Sequence, residues 1–425
     1  MKISLRNLDE QLVCVARLVG EMADQRHERA YVVGGVVRDL ILGRKNFDLD
    51  IVVEKDAISL ARQFAKSHQA KVVEYPPFKT AAVTLKNGFK FDLATARKET
   101  YPHPGALPVV KKGSLREDLY RRDFTINAIA LVINKKNFGE LVDDFGGLKD
   151  LKAKRIRVLH EKSFIDDPTR IFRAVRFSSR FNFQIEKKTL LLLKEALEYR
   201  FEERVKPQRY FEEFKKILDE QKPKKYIKRL AVLKGLRFLT LEAKFNTAMG
   251  RFFDTIDNNI AWFDKTFGRA KDLKRWIVYL MALLRELSFD ESKAIMEKFN
   301  LSREDRESIL LTKSVGKIIE SISSPDATPY GVYKTLKPLS DEAVVFCRSC
   351  ADAPEAIRQI EKFLTTYDNV KLDIDGDDLK CLGIEEGSRI GRILEELLQR
   401  KMSGDLGSRS AQLEAARMIK NSLER

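Results

Sequence analysis

Cysteine and histidine are scarce in this chain, with four of each among 425 residues. Cys14, Cys347, Cys350 and Cys381 are too few and too scattered for a disulfide framework. Cys347 and Cys350 form a lone C-x-x-C pair in a helical stretch with no partner pair and no nearby histidine, and they read as buried thiols rather than a zinc or redox site. His27, His68, His103 and His160 never stand beside an aspartate, which argues against a fused phosphohydrolase, and His160-Glu161 does not extend to a zinc-protease spacing. Long apolar runs are missing as well. The longest, "WIVYLMALL" at 276–284, falls far short of the ~20 residues that cross a bilayer, so no membrane-spanning protein is expected. The opening "MKISLRNLDEQLVCVARL" mixes charges into an amphipathic pattern; without an uninterrupted apolar core it reads as no signal peptide, and a cytoplasmic location is expected. "DIDGDD" at 373–378 fails as a calcium loop, because its glycine comes at the fourth position and Ile384 stands where the twelfth-position Glu belongs.

What is abundant is charge. Charged residues make up 33% and hydrophobic ones 44%, a globular balance, and the length suits roughly two to four modules rather than one core. Lysine and arginine number 79 against 63 acids, a net charge of +16. Such a field attracts polyanions, nucleic acid being the commonest. "KPKKYIKRLAVLKGLR", Lys222–Arg237, holds seven basic residues and no acid at helical spacing. It reads either as a basic amphipathic helix turned to phosphates or as a solvated face.

The first 150 residues alternate strand-like and helix-like segments. "AYVVGG" is a strand stopped by two glycines, "VVRDLILG" a helix stopped by Gly43, and "FDLDIVVE" a second strand. A helix over Ala57–Ser67, the strand "AKVVEY", a loop "PPFKT" and the strands "AAVTLK" and "FKFDLATAR" follow, with Asn87-Gly88 as a hairpin turn. After "DDFGGLKDL" the strand signal fades into helical periodicity broken at Pro207, Pro223, Pro325, Pro338 and Pro354. The expected fold is α+β: a mixed-sheet head over 1–150, then an elongated all-helical neck (151–220), body (221–335) and tail (336–425).

Chemistry concentrates in the head. On a strand, Asp48 and Asp50 of "NFDLDIVV" share one face with Cα atoms roughly 6.6 Å apart. Like charges held together raise each other's pKa, and a divalent cation is the natural relief. Magnesium suits the pair, because it takes one or two carboxylates and completes its shell with water and substrate phosphates. Asp92 supplies a third acid on a neighbouring strand. Upstream, Gly34-Gly35 ends a strand and opens a helix, leaving backbone N–H groups for phosphate oxygens, and Arg38 one turn later adds a bidentate clamp.

Taken in order, "GGVVRDLILG…FDLDIVV", "RRDFTINAIA" at 121–130, "DDFGGLKDL" at 143–151, "DDPTRIFRAVRF" at 166–177 and "ERVKPQRYFEEF" resemble the class II tRNA nucleotidyltransferases. These are the bacterial-type CCA-adding enzymes and relatives in the polymerase-β superfamily. The resemblance is specific through about residue 220 and general beyond. It implies a polymerase-β-like head, magnesium at Asp48 and Asp50, phosphate contacts at Gly35 and Arg38, Arg122 on the nucleotide and Asp123 near the ribose. It also implies that Arg173 and Arg176 touch the nucleotide, that "DDFGGLKDL" hinges the head to the next helix, and that a flexible loop, set near "EYPPFKT" at 74–80, switches between added bases.

The helix "IDDPTRIFRAVRF" then takes on a physical role. Cytosine and adenine both present an amino donor beside a ring-nitrogen acceptor, whereas uracil and guanine present the reverse. A carboxylate only accepts and a guanidinium only donates, so Asp167 and Arg170, three apart on one face, suit C and A alone. Asp167 also stands before Pro168, where it would cap the helix with proline at its first position. The expected reaction is magnesium-dependent transfer from CTP and ATP to the 3′ end of tRNA, giving the whole CCA end first, or A alone or CC alone in a split pathway. Poly(A) synthesis ranks low, since "PPFKTAAV" replaces that group's Gly-basic-basic-Phe stretch. The rivals are a silent RNA-binding protein, which would have a broken acid set, and a small-molecule nucleotidyltransferase, which sits poorly with a charge of +16.

Overall fold

The structure, a computed structural model, describes residues 9–45, 48–239 and 245–423. The chain divides into two compact units: Met1–Ile217 with Lys225–Lys244, and Leu218–Lys224 with Phe245–Arg425.

In the first unit, the apolar alternation of five segments builds β1 (Ala30–Val33), β2 (Leu49–Val53), β3 (Lys71–Tyr75), β4 (Thr80–Thr84) and β5 (Lys90–Thr95). A ribbon of β6 (Arg97–Thr100) and β7 (Val109–Lys112) follows, then β8 (Ala130–Val132) and β9 (Leu141–Val142). Among the described residues the main sheet runs β3-β4-β5-β2-β1-β8-β9 and is mixed, β2 and β5 being parallel. Asn87-Gly88 makes the β4–β5 turn, with Gly88 at φ +86°. One face of the sheet is sealed by α1 (Glu10–Gln25) and α3 (Ala57–His68) over Leu12, Val19, Leu60, Phe64, Val83 and Leu93. The opposite face is covered only around β1 and β8, where Leu115 and Leu119 of α4 (Leu115–Tyr120) pack on Tyr31, Val33 and Ala130. Toward β5 and β4 it stays open, and along β5 buried Phe91, Leu93 and Thr95 alternate with the more accessible Lys90, Asp92 and Ala94. The acids stand where cover gives way to open sheet.

One expectation is corrected: Asp48 precedes β2 by one residue rather than lying within it. Within residues 74–80, Pro76–Phe78 is a single tight turn, and β3 and β4 pair up to it through Tyr75 and Thr80. Asp167 follows the short helix Ser163–Asp166 in an extended conformation (φ −137°, ψ +90°) and its side chain accepts from the Thr169 N–H, the contact of an N-cap before Pro168, although regular α-helix is reached only at Arg170. In the segment 143–151, Asp143 accepts from the N–H groups of Gly147 and Leu148, and buried Asp150 accepts from the Thr125 hydroxyl.

Helix Arg170–Phe181 buries Ile171, Phe172, Val175 and Phe181 at helical spacing, which turns Arg173 and Arg176 to its polar stripe. Phe172, Tyr210, Phe214 and Phe238 form an aromatic core behind it, with centroids 4.2–5.6 Å apart. In the basic stretch, helix Lys224–Val232 buries Tyr226, Ile227 and Leu230 and leaves Lys225 and Lys228 exposed.

The second unit is helical throughout its described residues. "WIVYLMALL" is its core helix, Arg275–Leu284, nearly every residue of which is buried. Cys347 is fully buried, and burial pushes its thiol up to about 12, as expected of an inert core cysteine. In "DIDGDD", Asp375 accepts from the N–H groups of Asp377 and Asp378 and caps helix Gly376–Cys381. No helix of the described residues is long and apolar enough to cross a membrane.

Candidate active site

Three strands set the acids. Val33, Asp50 and Asp92 lie side by side, β1 to β2 and β2 to β5, so the two carboxylates share one row on the open face. Gly34 follows Val33 at φ +81°, a conformation that favours glycine, and turns the chain into helix Gly35–Ile41. A Cβ there would stand 3.3 Å from Arg122 Nη1 and 3.4 Å from Asp50 Oδ2. The turn, the guanidinium and the acid are therefore one packed unit.

Burial raises the pKa of Asp50, and Asp92 and Asp48 raise it further against the lowering pull of Arg122. The Asp50 carboxylate opens on the cleft, yet the protein walls displace enough of its water to disfavour charge. Burial, followed by Asp48, also raises Asp92. Two carboxylates held above their ordinary range by burial and neighbouring acids are what a cation relieves. Among the described residues no three acidic, histidine or cysteine side chains close a cage of their own. The donor set thus fits an ion that takes part of its shell from water and phosphate rather than a fully protein-bound one.

A cleft of about 580 Å³ gathers Gly35, Arg38, Asp48, Asp50, Arg122, Asp123, Asp167, Arg170, Arg173 and Arg176. Asp92 lines a separate cavity of about 290 Å³ on the β4 side, and Asp50 and Arg122 border both. Reacting groups can therefore approach the acids from two sides.

Within the cleft the arginines are held at different strengths. Arg38 is buried, and Asp39 takes its bidentate edge at 2.9 Å twice while Asn127 accepts from Nη1 at 2.7 Å. Its guanidinium also lies 4.6 Å over the Phe181 ring. These bonds tie the glycine turn to the neighbouring elements, and Arg38 lines the cleft beside Gly35. Arg122 donates to the fully buried Asp118 at 3.0 Å, and its Nε is buried without a hydrogen-bond partner. Burial pushes Asp118 up, but Arg122 and Arg121 outweigh it and hold its pKa below the usual carboxylate range.

Asp123 is also buried. It accepts from Asn127 and from Arg173 Nε at 2.8 Å, and these partners, Arg173 foremost, outweigh burial and keep it ionised. Arg173, held above its ordinary value mainly by Asp123, further approaches Glu213 at 3.6 Å. Arg170 donates to Ser163 Oγ and to the Arg121 carbonyl, both at 2.7 Å, and its Nε stands 4.0 Å from Asp167 Oδ2. Asp167 Oδ1 accepts from the Thr169 N–H (3.1 Å), the Thr169 hydroxyl (2.6 Å) and Arg209 Nη2 (3.0 Å). One carboxylate oxygen is anchored; the other faces Arg170.

Residues 30–157 match the family model of the poly(A) polymerase head domain. It is 34% identical over 417 residues to the A-adding tRNA nucleotidyltransferase of Geobacter sulfurreducens, covering 97% of this chain and 47% of that protein. It also matches the Thermotoga maritima CCA-adding enzyme solved in complex with tRNA_CCA, at 36% identity and a TM-score of 0.73, over 97% of this chain and 96% of that one. This chain belongs to the tRNA nucleotidyltransferase family. A CCA-adding enzyme solved with CTP is 35% identical, with a TM-score of 0.76, over 99% of this chain and 97% of that one. The same values of identity and TM-score hold for a complex with ATP, over 100% and 98%. The chain spans about half the length of the curated A-adding relative. Members of this family generally use a divalent metal.

Glu99, Tyr101 and Pro108, from the β6–β7 ribbon and the segment it encloses, carried no local signal in the sequence. Arg209, on helix Pro207–Leu218, lies within "ERVKPQRYFEEF", and Asn127, four residues after Asp123, lies within "RRDFTINAIA", so both could have been found from their motifs.

Proposed function

We propose that this chain adds C and A nucleotides to the 3′ end of tRNA, using CTP and ATP, without a nucleic-acid template. The observation that carries the reading is the meeting, on one cleft, of the acid row with an anchored Asp167 whose second oxygen faces Arg170. That pair accepts from the amino group and donates to the ring nitrogen of C or A; U and G would leave polar groups unpaired. Gly35, Arg122, Arg173 and Arg176 attend the triphosphate and sugar, Arg173 being oriented by Asp123. Asp48 and Asp50 would hold magnesium, which would supply neutralisation of charge on the reacting phosphoryl group and acidification of the attacking hydroxyl.

In the transfer, the RNA 3′ oxygen forms a bond to the α-phosphorus as the bond from that phosphorus to the bridging oxygen breaks. Pyrophosphate leaves with the electron pair. Asp92, with its raised pKa and its position on the side away from the nucleotide cleft, takes the hydroxyl proton. Residues 1–150 would act as catalytic head and 151–220 as template neck, with the body (221–335) and tail (336–425) gripping tRNA. The exposed Lys225 and Lys228 suit backbone contact with A-form RNA. A cytoplasmic setting, where tRNA matures, fits this reading.

Addition of A alone is the second reading, favoured by the A-adding name of the Geobacter relative. The test supplies tRNAs ending before C, after one C or after CC with CTP and ATP, separately and together, and sequences the 3′ ends. Extension of all three to CCA supports the first reading. Extension of the CC-ending tRNA alone supports the second.

A further inference from the structure

The cavity beside Asp92 is built from the open face of the sheet, and the strand register fixes what lies there. One row across it reads Val73, Ala82, Asp92, Asp50 and Val33; the next reads Tyr75, Thr80, Ala94 and Val52. The floor between Asp92 and the edge strand is thus Ala82, Ala94 and Thr80, all small side chains. At the far rim stands Tyr75, 47% exposed at the end of β3. Two strand spacings separate β3 from β5, about 9.6 Å. That width accommodates a nucleoside whose base stands on the sheet.

The rim is not loose. Arg97 Nη1 donates to the Phe78 carbonyl at 3.1 Å and its Nε donates to Glu99, while the Thr95 N–H donates to the Lys79 carbonyl at 3.0 Å. These bonds clamp the Pro76–Phe78 turn to β5 and β6 and fix where Tyr75 projects. At the opposite rim Arg121 and Arg122 bring positive charge, and Arg122 borders the nucleotide cleft as well.

We infer that this cavity is the seat of the RNA's 3′-terminal nucleoside, with Tyr75 as the platform on which its base stacks. The inference rests on the proposed nucleotidyl transfer, because it assigns the acceptor's place in that reaction. A ribose over Ala82 would bring its 3′ oxygen toward Asp92 and Asp50, and a base over Ala94 and Thr80 would meet the tyrosine ring. Since every base has a π-face, such a platform accepts a terminal C or any other last base, as an enzyme that extends successive ends requires. Tyr75 is a substrate-positioning residue with no part in the chemistry.

The test uses the full chain, an acceptor-stem minihelix and saturating ATP or CTP. Tyr75→Ala is expected to raise KM for the minihelix about tenfold, the scale of one lost base–aromatic stack. KM for the nucleotide should stay at its original value. Tyr75→Phe should retain the low KM. A minihelix with 2-aminopurine at its 3′ end should be quenched by the original chain and by Tyr75→Phe, and not by Tyr75→Ala. As an independent check on the floor, Ala82→Met should block minihelix extension while nucleotide binding persists. If Tyr75→Ala extends the minihelix with unchanged KM and full quenching, the assignment is wrong. If the original chain extends no RNA at all, the proposed reaction fails instead.

Discussion

Arg209 reaches back from helix Pro207–Leu218 to place its Nη2 3.0 Å from Asp167 Oδ1, the oxygen that Thr169 also holds. On the proposed reading Asp167 selects a base only if it is aimed, and this contact holds it in place. Removing Arg209 should therefore act on selectivity before it acts on rate. For Arg209→Ala, misincorporation of UTP and GTP relative to CTP and ATP is expected to rise about tenfold, the scale of one lost charge-assisted hydrogen bond. Competition assays with mixed nucleotides measure it; unchanged ratios would show that Thr169 suffices.

The opposite residue of the pair has its own signature. Arg170→Ala removes the donor while leaving the acids untouched, so discrimination should fall by ~1–3 kcal/mol. Magnesium dependence of the residual activity should be unaltered. A metal titration of the variant checks that half.

Asp48→Ala should abolish incorporation and leave tRNA affinity nearly intact, because the proposed reading places the grip on RNA on basic surface elsewhere. Gel-shift and single-turnover assays on the same preparation separate the two. Equal loss of both would place Asp48 in RNA binding.

The raised pKa values of Asp50 and Asp92 set a pH dependence of stability. A carboxylate whose folded pKa lies above its unfolded value binds more protons in the native state across that window, so stability is present below the unfolded pKa and is lost as pH rises through the folded one. Without metal, thermal stability from these two groups should thus decline as pH climbs through the window. Magnesium should restore it at pH 7 and restore less as the acids protonate. Asp50→Asn should raise the metal-free Tm and shrink the magnesium-dependent rise. Activity should fall on acidification, since both groups work as carboxylates.

Arg38 is predicted to matter for folding. Its loss leaves the buried Asp39 without its bidentate partner, and breaking a buried pair costs about 3–5 kcal/mol. Arg38→Ala should lower the denaturation midpoint strongly, whereas a residue that only bound phosphate would change nucleotide KM and little else.

The acid pair, the glycine turn and the Asp167–Arg170 spacing were visible in the chain because each is local: a strand repeats every two residues, and a helix brings residues three apart together. Locality also gave the cap at Asp167 before Pro168, where the side chain accepts from the Thr169 N–H, but not the Arg209 contact that the same oxygen makes from forty-two residues on. Arg38 likewise has a partner that its neighbourhood does not announce: Asn127, eighty-nine residues on.

Composition and short-range period were enough for the mixed-sheet head, the helical remainder and the basic net charge, whereas the family came from the resemblance of the quoted motifs. The first three depend on burial pattern and charge, which add up along the chain whatever its path. Which arginines stay available, which oxygen of Asp167 is left facing Arg170, and that Asp50 borders two cavities while Asp92 borders one were decided by folding. Each depends on partners that register and helix packing bring together from dozens of residues away, and the pairing of charges in a low-dielectric cleft is governed by those distances rather than by sequence spacing.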